Sequence, residues 1–312
     1  MQPANKGRCL VLGCGGVTGL AWEIGVLAGL ASQGIDLATA DGLIGCSAGS
    51  VAGAQLALGV PLMQLLAAQQ DGAGAEQYRP YSQQAADDKN RQLYDKVGAD
   101  LKQARQRIGA YALRSVTPTL AERRAIVAAR LGGSDWPGRS LHVVAVDAHT
   151  GEGRSFSAAD EVDFIDAIAA SCAVPGAWPA VPIGQSAYID GGIRSMTNAD
   201  LAAGYGQVVV LAPLGYRDGN PISGHLRREL QALGEAGGRV HAVLPDAASV
   251  QAIGDNVLDP ARRPSPRGPA CARRPPSRKR SGKCGAESRP RVRLVDLGPI
   301  PRRSARHSRC GR

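Results

Sequence analysis

Apolar residues in this chain gather into short unbroken runs, separated by longer stretches in which they recur at helical spacing. Arg8–Leu12 (Arg-Cys-Leu-Val-Leu), residues 42–44, residues 141–146 (Leu-His-Val-Val-Ala-Val), Gln207–Leu211 and Arg239–Leu244 read as buried strands. Helices are predicted over residues 20–32, where Ile24, Leu27 and Leu30 recur near helical spacing and Gly34 ends the run. Others fall at 48–58, 62–70, within 85–114, and at 119–131, 162–170 and 225–233. Near-continuous apolar strands alternating with helices predict an α/β layered fold with a mostly parallel central sheet. Residues 71–118 are polar, glutamine-rich and dotted with Tyr78, Tyr81, Tyr94 and Tyr111, and read first as a solvated helical layer, second as a cover over a site.

The pattern stops near residue 258. Beyond it Arg, Pro, Ser and Gly dominate, periodicity is lost, and only 292–297 looks strand-like, as expected of a disordered segment. The expected organisation is one domain over 1–258 and a basic, disordered tail over 259–312. Charge sharpens that division. The net charge is +10, but residues 261–312 hold 17 of the 37 basic residues against only Glu287 and Asp296, leaving 20 basic against 25 acidic residues before them. The body is mildly acidic and the tail strongly basic. The tail reads as translation of a GC-rich gene in another frame; the rival reading is a basic arm for anionic lipid or nucleic acid. Eight prolines without interleaved aromatics argue against specific nucleic-acid recognition.

Two segments imitate membrane signals. Lys6 and Arg8 precede an uncharged run over residues 9–22, but Gly13, Gly15, Gly16 and Gly19 would break a leader helix there. Residues 42–70 carry no charge and could span a bilayer by length, yet five glycines, Pro61 and several glutamines suit a buried strand and helix better. The seven cysteines (9, 14, 46, 172, 271, 284, 310) are odd in number and include no C-x-x-C pair, which favours free thiols in a reducing compartment over a disulfide framework or zinc site. A cytoplasmic protein with no metal and no cofactor is expected.

Candidate chemistry centres on Gly45-Cys46-Ser47-Ala48-Gly49 between a predicted strand and helix. A serine held on so tight a turn is a nucleophile elbow, and Gly45 and Gly49 let strand and helix pass closely; a turn without chemistry is the other reading. Gly13-Cys14-Gly15-Gly16-Val17-Thr18-Gly19 forms a second strand-loop-helix. It misses the dinucleotide pattern because Thr18 stands where glycine is required. What survives is a row of backbone N–H groups at a helix N-terminus, suited to a transient anion. No histidine stands out as a base: His142 and His241 lie inside predicted strands, His149 and His225 lack a supporting motif, and His307 is in the tail. Asp190, on Asp190-Gly191-Gly192 after a short strand, is the best candidate, since desolvation would raise its pKa into a useful range.

Four blocks taken together carry a family resemblance: residues 14–27, the elbow 45–49, Ala170-Ser171-Cys172-Ala173-Val174-Pro175, and Asp190-Gly191-Gly192. In this order, over residues 8–250, they resemble the patatin-like phospholipases. The resemblance implies a three-layer α/β/α fold and hydrolysis of lipid or other acyl esters by a dyad of Ser47 and Asp190. It also implies an oxyanion hole of N–H groups at Gly15, Gly16 and Val17. A lipid or acyl-ester substrate and peripheral contact with a membrane surface are the expected partners; specific nucleic acid is not. Two positions depart from the family pattern: Cys14 stands for glycine and Thr18 for Arg or Lys. Loss of that cation weakens the case for phospholipid more than for esters at large. A Ser-His-Asp esterase on another α/β fold and a non-enzymatic binding protein acting through the tail are the competing expectations.

Overall fold

The computed structural model describes residues 7–71 and 76–262 and the backbone of 293–296. The strands are β1 (Arg8–Leu12), β2 (Gly42–Cys46), β3 (Leu141–Asp147), β4 (Gly153–Phe156), β5 (Val181–Ile183), β6 (Ser186–Asp190), β7 (Gln207–Leu211), β8 (Arg239–Leu244) and β9 (Arg293–Asp296). The helices are α1 (Gly16–Ala31), α2 (Ala48–Ala57), α3 (Leu62–Gln70), α4 (Gln83–Lys96), α5 (Leu101–Arg114), α6 (Leu120–Leu131), α7 (Phe164–Ser171), α8 (Leu226–Glu235) and α9 (Ala247–Ile253). One mixed sheet joins the strands in the order β5-β6-β3-β2-β1-β7-β8-β9, with β4 also on β3. β3, β2, β1, β7 and β8 run parallel. β9 pairs antiparallel with β8; the other residues beyond 262, and with them the expectation of a disordered tail, lie outside the described residues.

Strand alternation builds two apolar layers. Leu10, Leu12 and Leu43 face one side with α1, α2, α3, α6 and α7, while Cys9, Val11, Ile44, Cys46, Val208 and Val210 face the other with α8. The result is a three-layer α/β/α arrangement. The uncharged segment 42–70 folds as a buried strand and two short helices, and among the described residues no helix is long and apolar enough to cross a membrane. α1 begins at Gly16, four residues earlier than its apolar periodicity indicates, so the glycine loop is itself the first turn of the helix. β5 and α9, too short to show a period, were not expected from the pattern.

The register of β3 does most to place the site. Val143 and Val144 pair with both β2 and β4, and Ala145 and Val146 with both β4 and β6. β2 and β6 therefore share one side of β3, and β6 takes over where β2 ends. Cys46 is opposite Val144 and Asp190 opposite Ala145, so the end of the elbow strand and the Asp-Gly-Gly turn meet although 144 positions apart in the chain. Close packing follows: a Cβ on Gly191 would lie 2.3 Å from the Val144 carbonyl oxygen.

The elbow depends on the same closeness. A Cβ on Gly49 would lie 2.0 Å from the Leu12 carbonyl oxygen, and one on Gly45 would lie 2.5 Å from the Gly49 oxygen. Backbone atoms cannot move aside as a flexible side chain does. Gly49→Ala is therefore expected to destabilise the protein by at least about 3 kcal/mol; a urea midpoint equal to that of the unsubstituted chain would show that the helix and strand are not locked at this distance.

Candidate active site

Ser47 sits at the N-terminus of α2 with φ 54° and ψ −117°, a left-handed conformation that a non-glycine residue adopts only when its surroundings enforce it. Those surroundings are specific. The Ser47 N–H donates to Ser171 Oγ at 2.9 Å, and the Ser47 carbonyl oxygen accepts from Ser50 Oγ at 2.7 Å and Cys172 Sγ at 3.2 Å. The Ser171-Cys172 pair thus clamps the elbow from the end of α7. The sequence marks these two residues only as part of a block; nothing in their spacing shows that they hold Ser47.

Asp190 caps a single helical turn, its Oδ1 accepting from the Gly192 N–H at 2.8 Å. Its Oδ2 accepts no hydrogen bond among the described residues. Burial pushes its pKa up from the usual 3.8 to about 6, opposed by the Gly192 N–H, the Ser47 hydroxyl and the Arg123 charge. Arg123 is itself buried, paired with Glu76 at 3.2 Å and stacked 4.1 Å from the Trp178 ring centroid. A carboxylate poised near 6 beside a serine hydroxyl has the properties of a general base.

Ser47, Asp190, Cys14, Gly15 and Gly16 all line one cavity of about 930 Å³. No histidine lines it among the described residues. His142 is bonded to Ser155, at 3.3 Å, and His225 contacts Arg228, with burial and that cation pulling its pKa down to about 4. The helical layer is more than solvated surface: Ala85, Leu93, Ile108 and Tyr111 of α4 and α5 line the same cavity as Ser47 and Asp190. α4 and α5 thus contribute part of the cavity wall, whereas a solvated layer was the first expectation for this stretch.

The glycine loop brings one departure. The Val17 N–H, expected with Gly15 and Gly16 in the oxyanion hole, donates instead to the Val257 carbonyl oxygen at 2.9 Å. The chain after α9 folds back over the start of α1, and the close fit there is visible at Gly16 (φ 58°), where a Cβ would lie 2.3 Å from that same oxygen. Neither the Gly15 nor the Gly16 N–H donates to a carbonyl among the described residues, so these two are the open donors beside Ser47. Thr18 is buried, and its hydroxyl has no partner there.

The described cysteines, 9, 14, 46 and 172, are all free and buried. Burial pushes Cys9 up to about 12 and Cys172 to about 11, and raises Cys14 and Cys46 as well, so none is a ready nucleophile.

No curated protein matches the chain. Among solved structures, the chain is similar to the crystal structure of VipD from Legionella pneumophila, at 14% identity and a TM-score of 0.34, over 61% of this chain and 47% of that one. The chain thus spans about half the length of that relative. The family model described as patatin-like phospholipase matches residues 10–203, well over half of the 312 residues, and the chain belongs to the patatin-like phospholipase family.

Proposed function

We propose that the chain is a serine acyl hydrolase that cleaves carboxylic esters of lipids through a dyad of Ser47 and Asp190. The observation that carries this reading is the convergence of an elbow serine, a buried carboxylate with a pKa raised to about 6 and two open backbone donors on one cavity without a histidine. In the first half-reaction Ser47 Oγ attacks the ester carbonyl carbon while its proton passes to Asp190. The Gly15 and Gly16 N–H groups hold the oxyanion, and the protonated Asp190 returns the proton to the departing alcohol. Water then enters, gives its proton to Asp190, attacks the acyl-serine, and frees the acid as the proton returns to Ser47.

The cavity also supports a lipid substrate. Its volume lies at the upper end for small-molecule sites, and Tyr78 and Tyr111 on its lining are 60% and 56% exposed. Val116, just beyond α5 in the chain, is 95% exposed, and such exposed apolar side chains suit peripheral contact with a membrane surface. Lys89 and Arg107 line the same cavity, and neither lies within ion-pair distance of an acid among the described residues. They supply to the cavity the positive charge that Thr18 does not. Reversing either to glutamate is expected to raise KM for an anionic phospholipid about two- to fivefold, with little change for a neutral short-chain ester; equal shifts for both substrates would remove these side chains from head-group recognition.

A fluorophosphonate probe tests the nucleophile. The full chain should be labelled once, on the peptide carrying Ser47, and Ser47→Ala should not be labelled. Labelling of the variant at the rate of the unsubstituted protein would overturn the dyad.

A further inference from the structure

Cys14 lies in the glycine loop after β1 and Cys46 ends β2, yet the Cys14 thiol donates to Cys46 Sγ at 3.0 Å, and Cys14 Sγ lies 3.9 Å from Asp190 Oδ1. One donor atom from each of Cys14, Cys46 and Asp190 lies within 4.8 Å of the others, and all three residues are buried. We propose that these three side chains form a binding site for a thiophilic divalent ion such as Zn²⁺, and that the bound ion switches the hydrolase off by occupying its base.

The donor geometry suits such an ion. Zinc–sulfur and zinc–oxygen bonds of about 2.3 and 2.0 Å place tetrahedral ligand atoms roughly 3.5 to 3.8 Å apart, and the Cys14–Cys46 and Cys14–Asp190 separations of 3.0 and 3.9 Å bracket that range. Two thiolates and a carboxylate are soft enough to select zinc or cadmium over magnesium or calcium. Asp190 is only 5% exposed, with the Gly192 N–H and the Ser47 hydroxyl as neighbouring donors, and a buried carboxylate charge is favoured when a cation joins it. Access exists, because Cys14 and Asp190 line the substrate cavity while Cys46 stands fully buried behind them. A fourth ligand would come from that open side, as water or substrate oxygen.

Nothing in the fold requires this set. Cys14 stands where the family pattern has glycine, and Gly192 leaves the space that its sulfur fills: a Cβ there would lie 2.9 Å from Cys14 Sγ. Binding displaces the two thiol protons to solvent as the metal–sulfur bonds form, and Asp190 shared with the ion no longer accepts the Ser47 proton. The inhibitory half of this inference rests on the dyad; the binding half does not.

The test uses the full chain in a metal-free, phosphine-reduced buffer, titrated with Cd²⁺ and Zn²⁺. Cadmium–thiolate charge-transfer absorption and native mass spectrometry report binding, and hydrolysis of a short acyl ester reports inhibition. The expected result is one ion per chain beyond any bound by the tail cysteines, with activity lost in proportion and restored by a chelator. A Cys14→Ala, Cys46→Ala double variant, which retains Cys9, Cys172, Cys271, Cys284 and Cys310, should lose that ion and its absorption. Asp190→Asn, which keeps both thiols, should bind more weakly and guards against a double variant that fails to fold. The site is overturned if the unsubstituted chain shows no such ion, or if the double variant or Asp190→Asn binds it as tightly. Binding without inhibition would keep the metal site and overturn the switch, whereas an enzyme inactive toward every ester but still binding cadmium would point to failure of the dyad reading instead.

Discussion

Ser47→Ala is expected to lower ester hydrolysis by about four to six orders of magnitude while leaving the fold as stable as before. The first half follows from chemistry: without Oγ no acyl-enzyme forms, and only the oxyanion donors and the cavity remain to help water attack directly. The second half follows from the contacts. Ser47 makes no side-chain cap to α2, and its hydrogen bonds to Ser171, Ser50 and Cys172 run through backbone atoms that alanine retains. Alanine carries the same Cβ and so bears the same cost at φ 54°. The melting temperature should therefore move by no more than a surface substitution would move it. Steady-state kinetics beside a thermal scan separate the outcomes: a large activity loss with a large drop in stability would mean that the elbow had collapsed, and a small activity loss would mean that another nucleophile is at work.

What the sequence reveals of this arrangement depends on whether a feature is local. β1, β7 and β8 have the bounds that their apolar runs suggest, because parallel strands covered on both faces are apolar without interruption. The elbow is legible for a similar reason, since Gly45 and Gly49 answer a steric demand made within five residues. The clamp from Ser171 and Cys172 is not local. It reaches Ser47 across 124 and 125 positions through the packing of α7, and no periodicity encodes it. The same holds for Val257, whose carbonyl takes the Val17 N–H, and for Cys14 and Cys46, which show no metal-ligand spacing because the loop after β1 supplies one and the end of β2 the other. α4 and α5 read as a solvated layer because most of their residues are polar; the few apolar ones that turn toward the cavity, Leu93 and Ile108 among them, are too sparse to announce a cover.

Asp190→Asn is expected to cost about a thousand- to ten-thousandfold in kcat/KM and, at the same time, to stabilise the protein at neutral pH. On the proposed dyad, the activity loss reflects removal of the one carboxylate that lines the cavity with Ser47 among the described residues. It also fixes the pH dependence: the base is competent only when ionised, so the rate should rise through about pH 6 and level off above it, and the residual rate of the variant should lack that step. The stability gain follows from the same burial. An acid whose folded pKa, about 6, lies above its unfolded value of about 3.8 holds its proton more firmly in the native state. Below the unfolded pKa both states are protonated and there is no penalty. As pH rises from 3.8 to 6 the unfolded chain ionises first and stability falls, and above 6 the penalty is complete, at about 3 kcal/mol for a shift of roughly two units. Asparagine keeps the oxygen that accepts from the Gly192 N–H and carries no charge to bury, so it escapes that cost. Urea unfolding of both proteins at pH 4 and pH 8 decides the matter: the variant should gain on the unsubstituted protein as pH rises, and a gap that stays constant between the two would mean that Asp190 titrates at its ordinary value and is not held as a base.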